Sequence, residues 1–197
     1  MNTTTCLKFG ALAAAVALSA CSTTANVTKP APGEPSGQTA ESRRGLDDGY
    51  RETLERLYAS TPGSRELVAK ARGVLIFPHE VSAGLVVGGS YGEGELRIHG
   101  AVDGYYRTAS GSVGWQIGAQ SRALVFLFMS EDSLQKFRAS KGWSGGVDAS
   151  VALLTVGANG ALDANAAQAP TSAFILTNAG LMAGATLQGT KITRIDD

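Results

Sequence analysis

The segment Gly88-Gly-Ser90-Tyr-Gly92 matches G-x-S-x-G, the elbow on which serine hydrolases expose a nucleophile between a strand and a helix. That chemistry needs a helix after the serine and a later acid and histidine. Here Glu93 to His99 reads as turn and strand, Gly92-Glu-Gly94 as a turn, and the only histidines are His79 and His99. Ser90 is therefore expected to be an ordinary strand or turn residue. His79-Glu80 opens like the zinc motif H-E-x-x-H, but Ala83 stands where the second ligand belongs. Neither a phosphate loop nor a dinucleotide fingerprint is present. Asp103, Asp148 and Asp163 are isolated acids that suit turns or loops. No catalytic constellation emerges, so the expectation is a protein that is not an enzyme, with no cofactor and no metal.

Cys21 is the residue with a chemical future. Lys8 followed by the apolar run Phe9 to Leu18 has the form of an export signal, and Leu18-Ser19-Ala20-Cys21 resembles the lipobox at which bacterial lipoproteins are acylated, palmitate included. Residues 1–20 are thus expected to be a lipoprotein signal peptide and 21–41 the acylated cysteine and a disordered tether, with the folded domain at 42–197. The tether is rich in proline (Pro30-Ala-Pro32-Gly-Glu-Pro35) and would span on the order of 25 Å as a flexible coil. Ser22 resembles the sorting context for the outer membrane of a Gram-negative host. The other cysteine, Cys6, leaves with the signal, so no disulfide is expected.

The elements that must support any site follow from composition and periodicity. Basic and acidic residues balance at 17 each, hydrophobic residues make up 44%, and 19 of the 25 glycines lie between Gly73 and Gly189. This excludes a disordered polyanion and a basic nucleic-acid binder, and it favours a glycine-bent sheet over a helical bundle. Leu46, Tyr50, Leu54 and Leu57 predict an amphipathic helix from Ser42 to about Ser60, and a second short helix runs through Leu67, Val68 and Ala71 to Gly73. Strand-length pieces follow at 74–77, 84–87, 95–98, 105–108, 113–117 and 124–129. A capped helix begins at Ser130, with Glu131 and Asp132 in its first turn, Met129 and Leu134 placed as a hydrophobic staple, and Gly142 at its close. Further strands are expected over 147–156, 173–176 and 185–195, with a turn at 157–160. Short connections favour antiparallel pairing. The expected fold class is α+β, mainly β: an antiparallel β-barrel core with about three helices packed on its outside. Glycine pairs four apart recur at Gly84/Gly88, Gly114/Gly118 and Gly180/Gly184, suited to a bending strand or to space for an acyl chain or loop.

Four ordered motifs carry a resemblance: Lys70-Ala-Arg-Gly73-Val-Leu-Ile-Phe77-Pro78, Gly92-Glu-Gly94, Gly114-Trp-Gln-Ile-Gly118-Ala-Gln-Ser121, and Gly180-Leu-Met-Ala-Gly184-Ala-Thr-Leu-Gln-Gly189. Together they resemble the SYLF lipid-binding domain over roughly Leu46 to Ile195. The resemblance implies a β-barrel core with external helices and affinity for phosphoinositides, with actin binding in some eukaryotic members. For an exported chain it implies binding to anionic phospholipid or phosphoinositide-type headgroups, beside the membrane contact made through the Cys21 anchor and without nucleic acid as a partner. No family motif fixes the headgroup ligands, so Arg65, Lys70, Arg72, Lys136, Arg138 and Lys141 are candidates on charge and position. The competing expectation is a structural or protein-interaction module of the bacterial envelope with an envelope protein as partner and no specific lipid ligand.

Overall fold

The computed structural model describes residues 39–84, 87–113, 118–145, 150–156, 162–178, 180–182, 187 and 189–195, all within one compact unit, Ser36–Asp197. Cys21, the tether up to residue 38, Asp148 and the turn expected at 157–160 lie outside the described residues, and the last tether positions, Ala40 and Glu41, already belong to the first helix.

Two helices lead. In α1 (Ala40–Ser60) the Thr39 side chain caps the first turn by accepting from the Ser42 amide, and Tyr50 and Leu57 form its buried stripe. Thr61-Pro62-Gly63 then turns the chain, with Gly63 at φ 82°, into α2 (Ser64–Lys70). The buried Ser64 hydroxyl donates to the Thr61 and Leu57 carbonyls and ties the two helices together.

Four long strands follow: β1 (Gly73–Gly84), β2 (Val87–Ile98), β3 (Ala101–Val113) and β4 (Gly118–Phe128). Of the six short pieces expected from the sequence, 74–77, 95–98 and 105–108 are segments of these strands and 124–129 runs one residue past the end of β4; 84–87 straddles the junction of β1 and β2, and its residues 85–86, like 114–117 of the piece 113–117, are outside the described residues. Gly92-Glu-Gly94, expected as a turn, is mid-strand in β2. The glycines are there because β1 passes too close for a side chain: a Cβ on Gly94 would lie 2.2 Å from the Ile76 carbonyl oxygen. At this point β1 carries one extra residue against both β2 and β4, around Pro78, a residue with no amide to give to either ladder. Gly84 and Gly88 face each other across the β1–β2 ladder, so the first glycine pair spans a hairpin instead of bending one strand.

Next come α3 (Glu131–Ala139), β5 (Trp143–Ser144), β6 (Ala152–Leu153), α4 (Ala164–Ala167), β7 (Thr171–Thr177), β8 (Gly180–Leu181) and β9 (Thr190–Ile195). Ser130 caps α3 as expected, its hydroxyl accepting from the Ser133 amide. The expected staple is absent, because Leu134 joins the core on one face of the sheet and Met129 the core on the other. Asp163 lies in the loop before α4, as expected, but it is not idle there: its carboxylate caps that fourth helix by accepting from the Asn165 and Ala166 amides.

The sheet runs β5-β9-β3-β2-β1-β4-β7-β6, with β8 paired to β7; all pairs are antiparallel except β6 with β7. It curls as a half-barrel, giving the mainly β, α+β class expected. Its terminal strands β5 and β6 are two residues long, too short to carry a ladder from one end of the sheet to the other. Helices cover both faces. Phe77, Leu96, Phe126 and Phe128 pack with Leu134 and Phe137 of α3 and with Trp143, whereas Ile76, Val125, Leu127 and Phe174 pack with Tyr50 and Leu57 of α1. The uninterrupted apolar run 123–128 is the sequence mark of a strand buried on both sides.

Candidate functional site

The six cationic candidates fall into two sets on opposite faces of the sheet. Arg65 and Lys70 belong to α2, and Arg72 follows it on the way into β1. The backbone is fixed there by the Arg72 amide, which donates to the Phe128 carbonyl at 2.8 Å. All three side chains are exposed. Arg65 stacks over the Tyr58 ring at 4.1 Å. Among the described residues none of the three has an acidic partner.

The second set is largely committed within the fold. Lys136 pairs with Asp132 one turn earlier on α3 at 2.8 Å. Arg138 lays its fork on Asp103 of β3, with Nη2 at 2.7 Å from one oxygen and Nε at 3.1 Å from the other. Asp103, expected as an unpartnered turn acid, is thus a strand residue that docks α3, and Arg194 of β9 also reaches its backbone carbonyl at 3.0 Å. Lys141, past the end of α3, is exposed and makes no ion pair among the described residues.

Arg72 stands at the rim of a cleft of about 380 Å³ between the two leading helices and the β2–β3 hairpin. Leu54 of α1, Val68 and Ala69 of α2 and Val74 of β1 give it apolar walls. Two residues missing from the sequence-derived set complete it: Arg97 near the end of β2, and His99 in the two-residue turn that follows. His99 and Gly100 have φ of 50° and 83°, the positive values that a tight hairpin requires at both loop positions. Among the described residues no acidic one lines the cleft.

Arg97 is held from several sides. Its guanidinium lies over the Tyr50 ring at 4.2 Å, pairs with Glu95 at 2.6 Å, and pairs with Asp47 of α1. Glu95 is fully buried, and its Oε2 has no hydrogen-bond partner among the described residues. Burial pushes its carboxyl above the ordinary value, against the opposing pull of Arg97. Burial likewise drives the Tyr50 hydroxyl well above the usual phenol range. The signal for Arg97 was present in the sequence, because alternation along 95–98 puts Glu95 and Arg97 on one face, but nothing in β2 alone shows that α1 crosses there.

Ser90 is built into a different polar group, on the face that carries α3. Its hydroxyl donates to Glu80 Oε1 at 2.5 Å and shares a 2.6 Å hydrogen bond with Ser110. The other Glu80 oxygen accepts from Arg122 Nε at 2.5 Å. His79, adjacent to Glu80 in β1, is exposed and is not part of this group. Among the described residues no group of three or more His, Cys, Asp or Glu could hold a metal ion, and no helix is long and apolar enough to cross a membrane.

Residues 109–197 match a family model described as Ysc84, Las17-binding protein actin regulator. The comparison with curated proteins finds no match. The matched segment runs from the end of β3 to the end of the chain, so it includes α3 and β9, while every residue of the cleft precedes it.

Proposed function

We propose that this chain, whose residues 109–197 match the Ysc84 family model, is a non-catalytic, membrane-anchored lipid-binding protein of the SYLF, or Ysc84, domain family. Acylation at Cys21 holds it to the outer membrane, and the face formed by Arg65, Lys70 and Arg72 engages anionic phospholipid or phosphoinositide-type headgroups. What supports this reading above all is the contrast between the two basic sets: among the described residues the cations of α2 and its exit have no acidic partners, whereas Lys136 and Arg138 are already paired. Headgroup affinity at such a surface is weak per residue, about 1 kcal/mol for each cation near an anionic bilayer. The anchor offsets this by raising the local concentration of membrane. The actin connection in the family's description belongs to other members, and an exported lipoprotein has no route to it.

The test uses the full chain carrying Cys21→Ser, which removes the acylation site, in co-sedimentation with vesicles. Phosphatidylcholine vesicles should leave it in solution, and vesicles containing phosphatidylglycerol or a phosphoinositide should bring it down. Replacing Arg65, Lys70 and Arg72 together by alanine should weaken that binding by about 100-fold, the sum of three such contributions. Equal sedimentation with neutral vesicles, or no effect of the triple replacement, would refute the assignment. Capture of one specific envelope protein without any vesicle binding would establish the interaction-module alternative instead. Incorporation of labelled palmitate by the unaltered chain, absent in Cys21→Ser, checks the anchor.

A further inference from the structure

Resting on the lipid-binding reading, the geometry points to the cleft beside α2 as a discrete site for one anionic amphiphile, a phosphate ester whose short apolar part enters the cleft. Two observations combine. Among the described residues the polar side chains that line the cleft, other than the Tyr50 phenol, all carry nitrogen donors: Arg72, Arg97 and His99. The remaining walls are apolar, from Leu54, Val68 and Val74. A flat electrostatic surface would need neither the recess nor its apolar walls.

Arg97 is prepared for such a ligand. It is pinned along one edge by Glu95 and Asp47 and from below by the Tyr50 ring, so its orientation is set before any ligand arrives. Its Nη1 makes no hydrogen bond among the described residues, which leaves donors for a phosphate oxygen. The two carboxylates behind it neutralise the guanidinium in part, so selectivity for an anion depends on Arg72 and His99 closing from the rim. At about 380 Å³ the cleft is at the small end of ligand pockets, which run to about 1,000 Å³. It suits a headgroup phosphate and the first part of one chain, and excludes the full body of a two-chain phospholipid. The phosphate chemistry is shared by a lipid still in the bilayer and a free single-chain phosphate, and the experiment separates the two.

The full Cys21→Ser chain is titrated by NMR with hexyl phosphate, inorganic phosphate and hexanol, alongside the vesicle assay. Hexyl phosphate should give saturable shifts at Val68, Val74 and His99, at least tenfold tighter than inorganic phosphate, and hexanol should give none. Arg72→Ala and His99→Asn should each weaken hexyl phosphate at least fivefold. Asparagine tolerates the positive φ of this turn, so His99→Asn removes the imidazole without straining the hairpin. Arg138→Ala, on the other face, should leave the titration unchanged. Vesicle binding without saturable hexyl phosphate binding would overturn the cleft assignment and leave the membrane-surface reading intact, and loss of both would overturn both. Saturable binding that neither Arg72→Ala nor His99→Asn affects would place the ligand elsewhere and also overturn the assignment. Tight hexyl phosphate binding that vesicles fail to compete away would uphold the site and assign it to free single-chain phosphates.

Discussion

Replacing Arg122 by methionine tests the polar group inside the sheet. Glu80 is fully buried and Arg122 is one-fifth exposed, so their bond joins a carboxylate cut off from water to a cation that reaches it. Arg122→Met removes the cation and leaves the carboxylate with Ser90 as its neutral donor. Stranding a buried charge in this way costs about 3–5 kcal/mol. Glu80→Met should cost less, about 1–3 kcal/mol, because the partly exposed guanidinium can turn to solvent. The double replacement, which removes both charges, should come within about 1 kcal/mol of the unaltered protein. The assay is urea unfolding of all four proteins. With a slope of about 1.5 kcal/mol per molar, a 4 kcal/mol loss moves the midpoint by roughly 2.7 M. The double variant should recover most of that shift, giving a coupling of several kcal/mol. Two single replacements that each cost under about 1 kcal/mol and simply add would refute the argument, since the carboxylate would then be solvated by some other route.

Gly94→Ala forces a Cβ to 2.2 Å from the Ile76 carbonyl and 2.7 Å from Phe77, and should cost about 3 kcal/mol in the same assay, whereas Gly111→Ala, with no atom within 4 Å, should stay within about 0.5 kcal/mol. The raised Glu95 carboxyl gives a pH dependence of definite sign: the folded state holds this proton more tightly than the unfolded chain, so its contribution is complete below the ordinary value of 4.5 and is lost as pH rises through the folded value. The stability difference between the unaltered protein and Glu95→Gln should therefore fall from pH 4 upward, and a flat difference from pH 4 to 7 would show that burial is not shifting this group. Tyr91, pushed up to about 12 by burial with help from its hydrogen bond to Glu93, should ionise above the ordinary phenol value of 10.0 in an ultraviolet titration of the folded protein, and Glu93→Gln should lower its midpoint.

The helices were legible because their signals are local. Ser130, Glu131 and Asp132 announce α3 within a single turn, and the spacing of Tyr50, Leu54 and Leu57 announces α1. The strands were legible in kind but not in length, because Gly92, Gly94 and Pro78 are turn formers unless a neighbouring backbone demands them. That demand comes from β1 and β2 passing each other and is invisible in either strand alone. The same limit applied to the site. Charge and position were enough to name Arg72, but Arg97 and His99 join it only because α1 and the β2–β3 turn meet beside α2. In the other direction, Arg138 drew notice as a cation, while the acid that occupies it, Asp103, lies on a strand thirty-five residues away in the chain.

The extra residue in β1 also resets which side of the sheet each later side chain takes. Up to Phe77 the odd positions of β1 face α3; past Pro78 the even ones do, so that Glu80 turns inward and Val81, half exposed beside Tyr91, turns outward. An uninterrupted strand would do the reverse, hiding the valine and presenting the glutamate to solvent. Hydropathy along β1 thus runs in two phases, and if the same residues were paired in unbroken register His79, not Glu80, would stand opposite Arg122. The partner of Arg122 is thus chosen by the length of β1 and not by its hydropathy: one residue more than its neighbours brings the carboxylate to the guanidinium.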